Sequence, residues 1–144
     1  MFRSVARTAF LLSLLALLIL PTAASASDLK VVNAWATLPE TWENSSAYFV
    51  IQSKSSKTRT IVGVSGSCCE FIEILRAVLK DGTMDSEKLD KMDIPAGGAV
   101  AFVPRGLYLN LAGLESLEAG ETVTIELEFA DGEKLEFDAV GRDD

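Results

Sequence analysis

The strongest constraint on the fold is a strict alternation of apolar and polar residues near the C-terminus. From Thr122 to Phe129, the sequence TVTIELEF has an apolar residue at every second position. Successive side chains of a β-strand point to opposite faces, so this pattern predicts a strand with one buried face and one wet face. Asp131-Gly132, a dipeptide typical of hairpin turns, follows, and the alternation resumes over residues 134–140. We therefore predict an antiparallel hairpin here.

Six further runs have the composition of strands, and no run of useful length after residue 27 has a helical period. Residues that favour turns separate these runs, among them Lys80-Asp81-Gly82 and Ile94-Pro95-Ala96-Gly97-Gly98. Eight or nine short strands of this kind predict a single all-β domain, either a sandwich or a barrel. The six runs are residues 29–37, 47–51, 59–64, 71–79, 99–103 and 107–111.

Alternation also assigns side chains to faces. In residues 29–37 it places Val32, Ala34 and Ala36 on one face, and Val31, Asn33 and Trp35 on the other. In residues 107–111 the leucines form the core face. The predicted buried set is Val123, Ile125, Leu127, Phe129, Leu135, Phe137, Leu109 and Leu111.

The N-terminus has the three parts of a secretory signal peptide. Arg3 and Arg7 are basic, residues 10–20 are apolar except for one serine, and Ala24-Ser25-Ala26 is a small-residue cleavage site. We predict a signal peptide over residues 1–26, a mature domain over residues 27–144, and a periplasmic or otherwise secreted location. The alternative is an uncleaved anchor, but the apolar run is short of the ~20 residues that span a bilayer, so we expect no membrane span after cleavage. No cysteine follows the run at the cleavage site, so lipid attachment there is not indicated.

Charge restricts the class of partner. The chain has 13 basic and 21 acidic residues, and removal of a leader that contains Arg3 and Arg7 changes the net charge from −8 to −10. A domain this acidic repels phosphate backbones, so no nucleic-acid partner is expected.

Several motifs carry a resemblance to a known family. They are the opening AWATLPETWENSSAYFV, the segment IPAGGAVAFVPRGLYLNLAGL, and LEAGETVTIELEF. Their layout resembles that of the PCu(A)C family of periplasmic copper chaperones over essentially the whole mature chain. The resemblance implies a cupredoxin-like β fold, a role related to Cu(I) delivery for oxidase assembly, and a protein partner in copper or oxidase assembly.

The resemblance also implies four metal-ligand positions, and the ligands are missing from them. In the family, a His is followed after ten residues by a Met, and after twenty-one more by His-x-Met. Here these positions hold Leu75, Ser86, Tyr108 and Asn110, and the sequence contains no histidine. Cu(I) prefers thiolate, thioether and imidazole donors, so we expect a degenerate site that does not bind copper. No resident cofactor is expected.

Cys68-Cys69 is the remaining soft-donor feature, and three interpretations stay open. The pair could form a vicinal disulfide, provide two buried strand thiols that point to opposite faces, or form a two-thiolate Cu(I) site. The structural interpretations are favoured over metal binding. Met84 and Met92 are interpreted as core residues.

The acid-rich segment with Asp81, Asp85, Glu87, Asp90 and Asp93 does not have the spacing of an EF-hand loop. It is interpreted as a solvated acidic turn region.

The sequence contains no phosphate-binding loop or catalytic constellation, so an enzyme is not expected. Two hypotheses remain for the function. The first is a Cu(I) carrier that uses Cys68 and Cys69. The second is a non-metal module that contacts a protein through Leu75, Tyr108 and Asn110.

Overall fold

The computed structural model describes residues 28–40 and 44–143, and the predicted signal peptide lies outside these residues. Within the described part of the chain every regular element is a strand, so the predicted all-β class is confirmed. The ten strands are β1 (Leu29–Thr37), β2 (Ser45–Ser53), β3 (Arg59–Ser65), β4 (Phe71–Lys80), β5 (Thr83–Leu89), β6 (Met92–Ile94), β7 (Ala99–Phe102), β8 (Leu107–Ala112), β9 (Thr122–Phe129) and β10 (Lys134–Arg142).

The strands form one curled sheet around a single core. Their order is β5-β4-β8-β7-β2-β1-β10-β9-β3-β6, with an additional pairing of β8 and β2. Most neighbours are antiparallel, whereas β1 and β10 run parallel and so do β7 and β8. The last strand extends to Arg142, beyond the predicted end at Val140, because its final residues pair with Ala36 and Thr37 of β1.

The core lies on the inner faces that alternation predicts. Six of the eight residues of the predicted set are buried, and Leu135 and Phe137 are half-buried and pack against the same core. Phe49 stacks on Phe102 with ring centroids 4.3 Å apart and meets Phe137 at 4.7 Å. The predicted inward faces of the C-terminal hairpin and of β8 are therefore confirmed.

The predicted faces of β1 are correct for Ala34 and Ala36 but wrong for the residues before them, because the strand contains a β-bulge. The pairing register between β1 and β2 shifts between Val32 and Trp35, and Asn33 has a φ of 54°. One extra residue reverses the alternation beyond it. As a result, Val31 and Ala34 both pack against the core, although strict alternation assigned them to opposite faces.

The acidic segment is solvated as predicted, but the prediction that it is a turn region is wrong, since most of it forms strand β5. Asp81 and Gly82 have φ values of 50° and 78°, so they form a tight two-residue hairpin turn directly after β4. The residues after the turn then pair with β4 from Lys80–Thr83 to Ile74–Leu89. The polar composition of this segment is compatible with a strand because β5 is at the edge of the sheet, where charged side chains stay in water.

Candidate functional site

The four residues at the predicted ligand positions lie on one surface. Leu75 of β4 pairs with Tyr108 of β8, and Asn110 pairs with Glu73 two residues along the same strands. On the other side of β4, Ala77 pairs with Ser86 of β5. Directly opposed residues share a face, and so do residues two apart, so all four side chains emerge on the outer face of three adjacent strands. The expected clustering of these positions is confirmed.

We call this surface the β4–β5–β8 face. It consists of the outward side chains of Phe71, Glu73, Leu75, Ala77, Leu79, Met84, Ser86, Lys88, Tyr108 and Asn110.

Two turns set its geometry. The Asp81-Gly82 turn fixes the register of β5 against β4, which places Ser86 beside Ala77. On the opposite side, the turn that precedes β8 is attached to β4 by a hydrogen bond of 3.0 Å from the Ala77 N–H to the Gly106 carbonyl. Strands β5 and β8 are therefore both held in register with β4 at the predicted ligand positions.

The polar groups of the face are bonded to one another. The Ser86 hydroxyl and the Tyr108 phenol are 2.5 Å apart. Nδ2 of Asn110 donates to Oε2 of Glu73 at 3.4 Å, and Oε1 of Glu73 lies 3.5 Å from the ammonium of Lys88. Alternation from Leu75 predicts that Glu73 lies on this face. The ion pair between Lys88 and Glu73 could not be predicted, because it depends on the pairing of β5 with β4.

This donor set does not fit Cu(I). The four positions supply an alkyl group, a hydroxyl, a phenol and an amide, and the adjoining charged groups are a carboxylate and an ammonium. The thioether of Met84 is the one soft donor on the face, and its side chain is exposed opposite Leu79. Among the described residues, no group of three or more His, Cys, Asp or Glu side chains is arranged to hold a metal ion. The interpretation of Met84 as a core residue is therefore wrong, whereas Met92 packs against the core as predicted.

Cys68 and Cys69 lie elsewhere and are joined to each other by a vicinal disulfide. They are in the turn between β3 and β4, so the interpretation as strand thiols is wrong. Both are half-buried against the core. Leu75 is four residues beyond Phe71, the first residue of β4, which is about 13 Å along an extended strand. The cysteine pair is therefore away from the predicted ligand positions at the centre of the β4–β5–β8 face.

The strand arrangement matches the cupredoxin-like fold of PCu(A)C domains, as the motifs predicted. The copper-bound PCuAC domain from PmoF2 superposes with a TM-score of 0.67 at 15% identity, covering 82% of this chain and 95% of that one. The apo PCuAC domain from PmoF1 gives 0.65 at 20% identity, with coverages of 82% and 96%. The Cu(I) form of DR1885 from Deinococcus radiodurans gives 0.61 at 26% identity, covering 84% of each chain.

The chain belongs to the LpqE-like family, because the model of that family (lipoprotein LpqE-like) matches residues 29–140. No curated protein matches the sequence. Within the part of the chain that the structure describes, no helix is long and apolar enough to cross a membrane.

Proposed function

We propose that this protein is an extracytoplasmic, non-enzymatic binding module that uses the β4–β5–β8 face to contact another protein and does not carry copper there. The observation that carries the proposal is the bonding within the face: the groups at three of the four ligand positions contact each other or Glu73. By descent, the module is related to proteins that deliver Cu(I) for oxidase assembly. A protein of copper or oxidase assembly is the corresponding class of partner.

Electrostatics also disfavours a metal ion on this face. The register places Lys88 directly opposite Leu75, and its ammonium contacts Glu73 next to Asn110. A cation at the inherited position would be repelled by this ammonium, and it would have to compete with it for the Glu73 carboxylate.

The composition of the face suits a protein contact. Tyr108 combines a large apolar ring with a hydroxyl, and such residues are enriched at interfaces. Leu79 and Met84, which pair with each other beside Ser86, leave 68% and 56% of their area exposed. Exposed apolar side chains that adjoin satisfied polar groups are typical of surfaces that are covered in a complex.

An extracytoplasmic location is supported by the disulfide between Cys68 and Cys69, since disulfides persist in oxidising compartments. The predicted signal peptide over residues 1–26 supports the same location.

The test is a Cu(I) titration against a competing chelator, under reducing conditions, with three forms of the protein. The wild type is compared with Cys68→Ser/Cys69→Ser and with a variant that restores the ligands, Leu75→His/Ser86→Met/Tyr108→His/Asn110→Met. The restored variant serves as a positive control, because the strand register that brings these positions together is retained.

We expect the restored variant to take up one Cu(I) tightly, and the Cys68→Ser/Cys69→Ser variant to take up none. Tight binding that survives the loss of both thiols would overturn the proposal. Tight binding that disappears with them would instead establish the second candidate, a Cu(I) carrier that uses the reduced pair Cys68 and Cys69.

A further inference from the structure

The charge of the β4–β5–β8 face differs from that of the molecule as a whole. The chain has 21 acidic and 13 basic residues, yet the charged side chains of this face are one carboxylate, Glu73, and one ammonium, Lys88. These two form an ion pair at 3.5 Å, so the face has no net charge. A partner surface with a net charge of either sign would lose its hydration on contact with this face and would meet no net opposite charge in return.

The outer surface of β9 and β10 shows the contrast. There, Glu126 pairs directly with Glu136, and Glu128 lies one step along the same face opposite Lys134. Neither strand pairs with β4, β5 or β8. Like charges directly opposed on neighbouring strands repel, and the same excess of negative charge would repel a second acidic molecule. Two copies of this chain therefore repel each other less through a charge-balanced face than through this acidic surface.

The neutral face is also where exposed apolar area is concentrated. Phe71, Leu79 and Met84 are 52%, 68% and 56% exposed and lie at its two ends, with the Glu73–Lys88 pair between them. In addition, exposed Val62 of β3 borders the groove that Phe71 lines. The face therefore has apolar ends around a central ion pair, an arrangement that can match a second copy of itself.

From these observations we propose that the β4–β5–β8 face also binds a second copy of this chain, which docks face to face about a two-fold axis and competes with the assembly partner. The proposal rests on the proposed function of this face as a protein contact. In a two-fold arrangement, Glu73 of each copy can bond Lys88 of the other without changing the net charge. Leu79 and Met84 of each copy are then covered by apolar side chains of its partner.

Pairing through the free edge of β5 is a different mode of association, and the structure opposes it. The Ser86 N–H donates to the carboxylate of its neighbour Asp85 at 2.8 Å, so the edge is blocked at its centre by its own side chain. An antiparallel pair centred on Ser86 would also place Asp85 opposite Glu87 of the second copy. Contact through the face avoids both problems.

The experiment is sedimentation velocity of the mature protein over a wide range of concentration. We expect a reversible monomer–dimer equilibrium in the wild type. The variant Leu79→Lys/Met84→Lys should weaken the dimer by about tenfold or more, because it places charge among the apolar contacts. Val140→Lys is the matched control, since Val140 is 42% exposed but lies on β10, and it should leave the equilibrium unchanged.

Charge exchange gives a second, independent readout. Glu73→Lys alone and Lys88→Glu alone should each weaken the dimer, because each gives both copies a face of one sign. The double variant Glu73→Lys/Lys88→Glu restores neutrality and should restore the dimer.

A protein that stays monomeric at every concentration would overturn the second copy as the partner. A dimer that is insensitive to Leu79→Lys/Met84→Lys would also overturn it. Neither result would by itself affect the proposed function, which is contradicted instead by tight Cu(I) binding of the wild type in the copper titration. The two proposals can therefore fail separately.

Discussion

The Ser86 hydroxyl and the Tyr108 phenol are 2.5 Å apart, although the residues are 22 positions apart in sequence and their strands do not pair. Strand β4 lies between β5 and β8, so the two backbones are about 10 Å apart and the tyrosine spans the difference. The resemblance to the PCu(A)C family assigns copper ligands to these two positions, and here their side chains are bonded to each other.

This contact predicts a measurable coupling between the two side chains. Ser86→Ala and Tyr108→Phe each remove one partner of the hydrogen bond. Since the bond is exposed to water, we expect a coupling free energy of about 0.5–1 kcal/mol in a double-mutant cycle followed by urea unfolding. Strictly additive effects of the two substitutions would show that the bond does not form in solution.

Phe129 anchors the core at the end of β9. Its side chain is 1% exposed, and the guanidinium of Arg59 lies over its ring at 5.2 Å from the centroid. We expect Phe129→Ala to lower the free energy of unfolding by about 3–5 kcal/mol, through lost burial and the cavity left behind. The exposed Val140 provides the control, and Val140→Ala should change stability by less than about 0.5 kcal/mol. An unchanged melting temperature for Phe129→Ala would mean that the inner face of β9 is assigned incorrectly.

Gly82 is required by the backbone of the β4–β5 turn. Its φ is 78°, and a Cβ added there would meet no atom within 4 Å, so substitution has a conformational cost and no steric one. We expect Gly82→Ala to destabilise the protein by about 1–2 kcal/mol and to speed hydrogen exchange in β5. Thr83→Ala, at an exposed neighbour, is the control. Unchanged protection of the β5 amides in Gly82→Ala would count against the tight turn.

Ser45 is buried beside Leu111 and pairs with it across β2 and β8. Among the described residues, its hydroxyl oxygen has no hydrogen-bond partner. Because a buried hydroxyl without a partner costs free energy, we expect Ser45→Ala to raise stability by about 1 kcal/mol.

Ser53 is the matched control, since it is also buried but its oxygen accepts a hydrogen bond from the Ser55 N–H at 3.1 Å. Ser53→Ala should therefore lower stability by about 1 kcal/mol. If Ser45→Ala were as destabilising as Ser53→Ala, the Ser45 hydroxyl would have to be bonded in solution.

The N-terminal leader gives a prediction outside the described residues. Cleavage after Ala26 should leave Ser27 as the first residue of the exported protein. N-terminal sequencing of protein secreted from an expressing host tests this, and recovery of an intact Met1 would contradict it.

The alternation of apolar and polar residues in the sequence was sufficient to predict most of the strands and their buried faces. Alternation in β9 predicts which four of its residues are buried, because the strand is regular and its two faces differ in polarity. The Asp131-Gly132 signal predicts the hairpin that follows, where Gly132 has a φ of 87°. The spacing of the family motifs also predicts that residues 75, 86, 108 and 110 lie together, since strand and turn lengths set where side chains emerge.

Three features could be determined only from the tertiary structure, because each depends on how a strand pairs with its neighbour. Residues 83–89 lack the composition of a strand, and they form β5 because the edge of β4 supplies hydrogen bonds along their whole length. The bulge at Asn33 changes the faces of β1 by one residue, which no alternation pattern reports. The ion pair of Glu73 and Lys88 joins two strands whose register is fixed by a turn and a sheet edge. Sequence periodicity indicates to which face each side chain points. The contacts of this face depend instead on which strands are neighbours in the sheet and on their register.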